Sequence, residues 1–183
     1  MMFKQELIQH LQSQQEVPRV REFLVTDINN DYIAWLNDPV VVQYSNQRFI
    51  EHSYESCRAY FNNMQSSDNA FLAIVDPLLG HVGTMTVYIN HHHATADIGI
   101  LLGNKDAWGK GIATQAWCLV LEALKKVPYL RKITAGTLAC NESMIRLALR
   151  SGMCADGQRH AQEIVDGVAV DILFFAYYCD ENE

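Results

Sequence analysis

The sequence predicts an α/β (α+β) fold, and three observations carry that reading. Strand and helix signals alternate along the chain. In the middle, a glycine-containing loop joins a strand to a long apolar helix and then to another strand, the order of a crossover unit. At the end, two β-rich runs flank Asp166-Gly167, a dipeptide favoured in tight hairpins.

The elements follow in order. Phe3, Leu7, Ile8 and Leu11 recur at helical spacing, so residues 1–17 form a short helical extension. Val20 to Val25 reads as a strand. Asn29 to Leu36 reads as a helix stopped before Asp38-Pro39, because a residue preceding proline avoids the α region. Ser53 caps a helix whose apolar face is Tyr54, Cys57, Phe61 and Met64. Ala70 to Val75 and His81 to Ile89 are strands joined by the turn at 76–80, and Thr95 to Leu102 is a further strand. An apolar helix spans about Gly111 to Lys126, closed by Lys125, Lys126 and Pro128. Lys132 to Leu138 is a strand, and Asn141 caps a helix that runs to Arg150 with Gly152 just beyond. Arg159 to Val165 and Val168 to Tyr178 form the closing hairpin.

Composition narrows the function. The 183 residues fit one domain, 1–183, and 49% hydrophobic content supports a core. Fourteen basic against 21 acidic side chains give a net charge of −7, which repels phosphate backbones and excludes nucleic acid as the main partner. No apolar run is long enough for a membrane span, and 1–17 lacks the apolar stretch of a signal peptide. Five widely spaced cysteines make neither a disulfide framework nor a zinc ribbon, and fit reduced thiols in the cytoplasm. His91-His92-His93 reads as a solvated turn, since adjacent strand residues alternate faces and no cysteine flanks them; no metal is expected.

The segment from Asp97 to Thr114 carries most of the chemistry. Gly109 and Gly111 stand at the mouth of a helix, where unpaired amides and the positive end of the dipole suit a phosphate or pyrophosphate. Lys110 adds a mobile charge. The loop is not a P-loop: Gly103 and Gly109 flank five residues, and Gly111 follows Lys110. Nor is it a dinucleotide loop, because Thr114 occupies the last glycine position, which argues against a nicotinamide-dependent oxidoreductase.

Trp108-Gly109-Lys110-Gly111-Ile112-Ala113 resembles the coenzyme A pyrophosphate loop, [QR]-x-x-G-x-[GA], of the GNAT superfamily of acetyl-CoA-dependent N-acetyltransferases. Trp108 departs from Gln/Arg but matches the branch that includes the ribosomal-protein N-terminal acetyltransferases. Trp35 to Val40, Gly83-Thr84, Asp97-Ile98-Gly99, Asn141 with Gly152-Met153, and Asp166-Gly167 through Asp171 resemble that branch in order and spacing, over roughly residues 18–178.

The resemblance implies a mixed central sheet of about seven strands, splayed between the fourth and fifth, with helices on both faces. It implies acetyl-CoA as co-substrate, with pantetheine along Ile100, Leu101 and Leu102 and pyrophosphate on Trp108 to Ala113, Thr114 following. Asn141 would bond the pantetheine or the amine, cap its helix, or both. Direct transfer to an amine needs a base and an acid. Glu163 and Asp97 match positions used as bases, with Glu163 favoured by the branch. The acid is a gap, because Ala148 and Met144 stand where relatives carry Tyr and Ser; Ser143 and Tyr88 are the candidates, with protonation of the thiolate by bulk water as the alternative. The expected acceptor is a small-molecule amine, such as an amino sugar or a polyamine, contacted by 41–68 and 88–94. A protein N-terminus is the alternative acceptor, and a non-catalytic acyl-CoA-binding module the alternative class. Oligomeric state stays open, a homodimer included.

Overall fold

The computed structural model describes residues 2–13 and 17–179. Five helices, α1 (Met2–Ser13), α2 (Asn30–Leu36), α3 (Tyr54–Gln65), α4 (Ile112–Lys125) and α5 (Glu142–Arg150), surround seven strands. These are β1 (Arg19–Glu22), β2 (Ala70–Asp76), β3 (Gly80–Asn90), β4 (Thr95–Leu102), β5 (Lys132–Leu138), β6 (Cys154–Val165) and β7 (Val168–Tyr178). They form one sheet in the order β1-β2-β3-β4-β5-β7-β6. Among the described residues only the β4–β5 pair is parallel, as its crossover through α4 requires.

Alternation along β2 divides the molecule into two faces. Ala70, Leu72 and Ile74 enter a core with Leu7 and Leu11 of α1, Trp117, Leu121 and Leu124 of α4, and Leu147 of α5. Phe71 and Ala73 enter a second core with Tyr32 and Leu36 of α2 and Cys57 and Met64 of α3. Helices therefore cover both faces of the mixed sheet. Two expected details differ. Tyr54 is exposed, so the buried edge of α3 is carried by Cys57 and Met64. The strand expected over Val20 to Val25 is Arg19–Glu22, and Val25–Asp27 is a 3₁₀ turn.

The Asp27 carboxylate causes that early stop. It accepts the Leu24 N–H at 2.7 Å and a two-pronged hydrogen bond from Arg21 at 2.7 and 2.8 Å, pulling the chain out of the sheet. Burial alone would raise the Asp27 pKa, but the Arg21 and Leu24 hydrogen bonds outweigh it and hold the carboxyl below its ordinary value. A depressed carboxyl pKa stabilises the fold above the unfolded value, and that contribution is lost as pH falls through the folded value. Arg21→Ala is expected to cost about 2–3 kcal/mol at neutral pH, less than a fully buried pair would, since the Arg21 side chain keeps 27% of its surface exposed. Thermal melts at several pH values check this: the deficit should shrink in acid.

Candidate active site

Strands β4 and β5 stay together for only three register pairs, Thr95 with Lys132, Ala96 with Ile133 and Asp97 with Thr134. Beyond Asp97 they separate. Strand β4 keeps its β3 partners as far as Leu102 opposite Gly83, and β5 keeps its β7 partners as far as Leu138 opposite Ile172. The result is a V-shaped gap in which Ile98 to Leu102 have no strand partner on the β5 side. Ile100, Leu101 and Leu102 lie along that open edge.

The edge leads into the glycine loop. Trp108 Nε1 donates to the Leu102 carbonyl at 2.9 Å, tying the loop to the end of β4. Gly111 caps α4 in the left-handed region at φ +78°, and Gly109 has φ +72°. A Cβ at either glycine would meet no atom within 4 Å, so the backbone there is an open cradle. The amides of Ile112, Ala113 and Thr114 open α4 with no intrahelical acceptor. Free amides, a positive helix end and the exposed Lys110 fit a pyrophosphate.

The end of α2 braces this junction. The Trp35 indole packs on Gly103 so closely that a Cβ there would lie 2.2 Å from the ring, and Asp38 forms an ion pair with Lys105. Two sequence motifs, Trp35 to Pro39 and the loop after β4, are thus halves of one contact.

On the α2–α3 side of the sheet lies a cavity of about 510 Å³. Its floor includes Thr84, Thr86 and Tyr88 of β3 and Gly99 and Leu101 of β4, and its walls come from α2, α3 and the segment 45–52. Tyr88 pairs in register with Asp97, so the cavity abuts the base of the V. The Tyr88 and Tyr60 hydroxyls are 2.8 Å apart. Burial pushes the Tyr60 hydroxyl well above the ordinary tyrosine range, with its hydrogen bond to Tyr88 acting in the same direction, so it stays neutral.

The two carboxylates differ in surroundings. Asp97 is solvent-exposed on its strand yet crowded enough that burial raises its pKa, opposed by the hydrogen bond it accepts from Thr134 Oγ1 at 2.7 Å. Glu163, half-buried on β6, is held by Arg48 at 3.2 Å and by Asn46 Nδ2 at 3.4 Å. It fastens the segment between α2 and α3 to the closing hairpin and does not line the cavity. Ser143 is exposed on α5, and its hydroxyl makes no hydrogen bond among the described residues. Asn141 caps α5 by accepting the Met144 N–H at 3.2 Å and donates to Thr137 Oγ1 at 3.1 Å. Ala148 is buried and Met144 half-buried; neither can supply a proton.

Tyr32 and Thr86 of the cavity were not expected, and His52 and Tyr60 were expected only as part of the stretch 41–68. One signal was available: Thr84-Met85-Thr86-Val87-Tyr88 alternates hydroxyl and apolar side chains, the pattern of a strand with one polar face. None of the five cysteines forms a disulfide. Among the described residues, no cluster of His, Cys, Asp and Glu is placed to hold a metal, and no helix is long and apolar enough to cross a membrane.

A gap between parallel strands thus opens onto a helix N-terminus on one side and a cavity on the other. The acetyltransferase (GNAT) domain family model matches residues 19–154, and the chain belongs to that family: it is an acetyl-CoA-dependent N-acetyltransferase. Among solved structures, it resembles the spermidine N-acetyltransferase from Vibrio cholerae in complex with CoA and spermine, at 18% identity and a TM-score of 0.76, over 87% of this chain and 94% of that one. It also resembles RimL, a ribosomal L7/L12 alpha-N-protein acetyltransferase in complex with coenzyme A, at 16% identity and a TM-score of 0.76, over 88% and 94%. A third similar structure is the microcin C7 self-immunity acetyltransferase MccE in complex with acetyl-CoA and AMP, at 18% identity and a TM-score of 0.74, over 87% and 91%. No curated protein matches the chain by sequence.

Proposed function

We propose that the protein moves an acetyl group from acetyl-CoA directly to the primary amine of a small molecule. The observation that carries this is the separation of β4 from β5 after Asp97, which opens one strand edge between the α4 N-terminus and the cavity. Pantetheine pairs with the β4 edge at Ile100 to Leu102, and the pyrophosphate rests on the amides from Gly109 to Thr114. The thioester then lies at the base of the V and the acceptor comes from the cavity side. Similar structures that hold CoA or acetyl-CoA support this placement.

In the transfer, the amine nitrogen bonds to the thioester carbon and the carbon–sulfur bond breaks. The amine loses a proton and the thiolate gains one. The family resemblance favours Glu163 as base, but Glu163 is occupied by Arg48, whereas Asp97 stands at the base of the V with a raised pKa. Asp97 is therefore the proton acceptor in this reading. Tyr88, its register partner on the cavity floor, is the donor to the thiolate. Asn141 holds the start of α5 beside the opposite arm of the V. The cavity, walled by α2, α3 and the segment between them, favours a small molecule over a protein N-terminus.

Thiol release from acetyl-CoA, followed with a set of small primary amines and with a peptide bearing a free N-terminus, tests the proposal. Release dependent on a small amine is expected. A response confined to the peptide would shift the acceptor to proteins, and acetyl-CoA binding with no release for any acceptor would mark a binding module.

A further inference from the structure

Resting on that reading, we infer that the acceptor is a single amine carried on an uncharged body of one or two rings, and is neither a polyamine nor a nucleotide-linked amino sugar. Among the described residues, the cavity wall contains no Asp, Glu, Lys or Arg. Glu51, Glu55 and Arg58 flank lining residues in sequence but are exposed and do not line the space, while Arg48 is matched with Glu163 and Asp38 with Lys105. A polyamine would bring further ammonium groups into this space with no carboxylate to meet them. A nucleotide would bring phosphates with no cation to meet them. Taking an unpaired charge out of water is strongly unfavourable in both cases.

The wall instead offers flat apolar surface and neutral hydrogen-bonding groups. Tyr60 stands edge-on to Phe71, with ring centroids 5.3 Å apart at 85°, and Tyr32 and Leu36 line the same space. Such a surface accepts a ring by edge or offset stacking. One polar group is held ready for the body of the ligand. His52 Nε2 is buried and makes no hydrogen bond among the described residues. Its backbone is fixed on both sides by Asn37, which accepts the His52 N–H at 2.8 Å and donates to the His52 carbonyl at 2.8 Å. A ring hydroxyl or ring N–H would satisfy that nitrogen once the imidazole turns to bring it to the surface of the space. The volume of about 510 Å³ holds a body of this size. Asp97 lies beside Tyr88 at one end of the cavity and meets the single reacting amine.

The test is kcat/KM with saturating acetyl-CoA for tyramine, spermidine and a uridine diphosphate amino sugar. Tyramine is expected to exceed both others by about tenfold or more, the scale set by one unpaired charge that solvent partly reaches. Spermidine or the sugar nucleotide matching or exceeding tyramine would overturn the inference. So would a lack of turnover with all three while acetyl-CoA still raises the melting temperature, an outcome that spares the transferase reading. Loss of the acetyl-CoA shift itself would strike at that reading instead. Gln47→Glu places a carboxylate on the wall and is expected to move the spermidine-to-tyramine ratio upward by about tenfold. An unchanged ratio in a variant that still binds acetyl-CoA would show that the wall does not select, and would overturn the inference.

Discussion

Asp97→Asn is expected to lower turnover by about 10²–10⁴-fold, the usual cost of removing a general base, with acetyl-CoA affinity nearly unchanged. The amide keeps the shape and can still bond Thr134 Oγ1, which lies 2.7 Å away. What it loses is the ability to take a proton. Stability should move the other way. Burial raises the Asp97 pKa, so the charged carboxylate is the disfavoured form in the folded state. A raised carboxyl pKa contributes stability that is full below the unfolded pKa and is lost as pH rises through the folded one. At neutral pH the asparagine variant should therefore melt no lower than the parent. The acidic limb of the pH–rate profile should flatten with it. Glu163→Gln is expected to act differently, loosening the Arg48 contact and raising the KM for the amine more than it lowers kcat. Steady-state kinetics and melts of the two variants decide the ranking. A large kcat loss in Glu163→Gln with a silent Asp97→Asn would return the role of base to Glu163.

Gly111→Val is expected to abolish detectable acetyl-CoA binding. Two effects act together. The residue sits at φ +78°, where a β-branched side chain is strained by about 1–3 kcal/mol. The space around its missing Cβ is empty of protein, so the new side chain projects into the cradle meant for the pyrophosphate. The helix behind it is anchored by Trp117, Leu121 and Leu124, so the chain should still fold, with a lower melting temperature. Gly111→Ala should show a smaller loss. Calorimetric titration with acetyl-CoA checks both; normal binding by the valine variant would mean that the pyrophosphate lies elsewhere.

The cofactor half of the site was legible in the sequence, because it is local. Gly109, Lys110, Gly111 and the start of α4 are contiguous, and their chemistry follows from the backbone. The strands were legible for a related reason: Ala70 to Val75 is a continuous apolar run bounded by turn residues, as a strand covered on both faces should be, and Thr84 to Tyr88 alternates. Long-range contacts were not. The resemblance offered Glu163 as a base, and its partner Arg48 is 115 residues away in the chain. The early stop of β1 depends on where the Asp27 side chain folds back, which no propensity encodes. The gap itself is invisible locally, since Ala135, Gly136 and Thr137 read as ordinary strand whether or not β4 lies beside them. The cavity needs residues from α2, α3, β2, β3 and β4 at once; the stretch 41–68 was expected beside the acceptor, and the hydroxyl-bearing face of β3 was the local sign of its floor.

The most direct test of the central claim is the melting temperature of the protein with acetyl-CoA, against NADH and ATP at equal concentration. A ligand at about 100 times its dissociation constant adds about 2.7 kcal/mol of stability, which for a chain of this size raises the melting temperature by roughly 5–10 °C. The account predicts that rise with acetyl-CoA, far smaller rises with the two nucleotides, and its loss in Gly111→Val. A larger rise with NADH than with acetyl-CoA would contradict it.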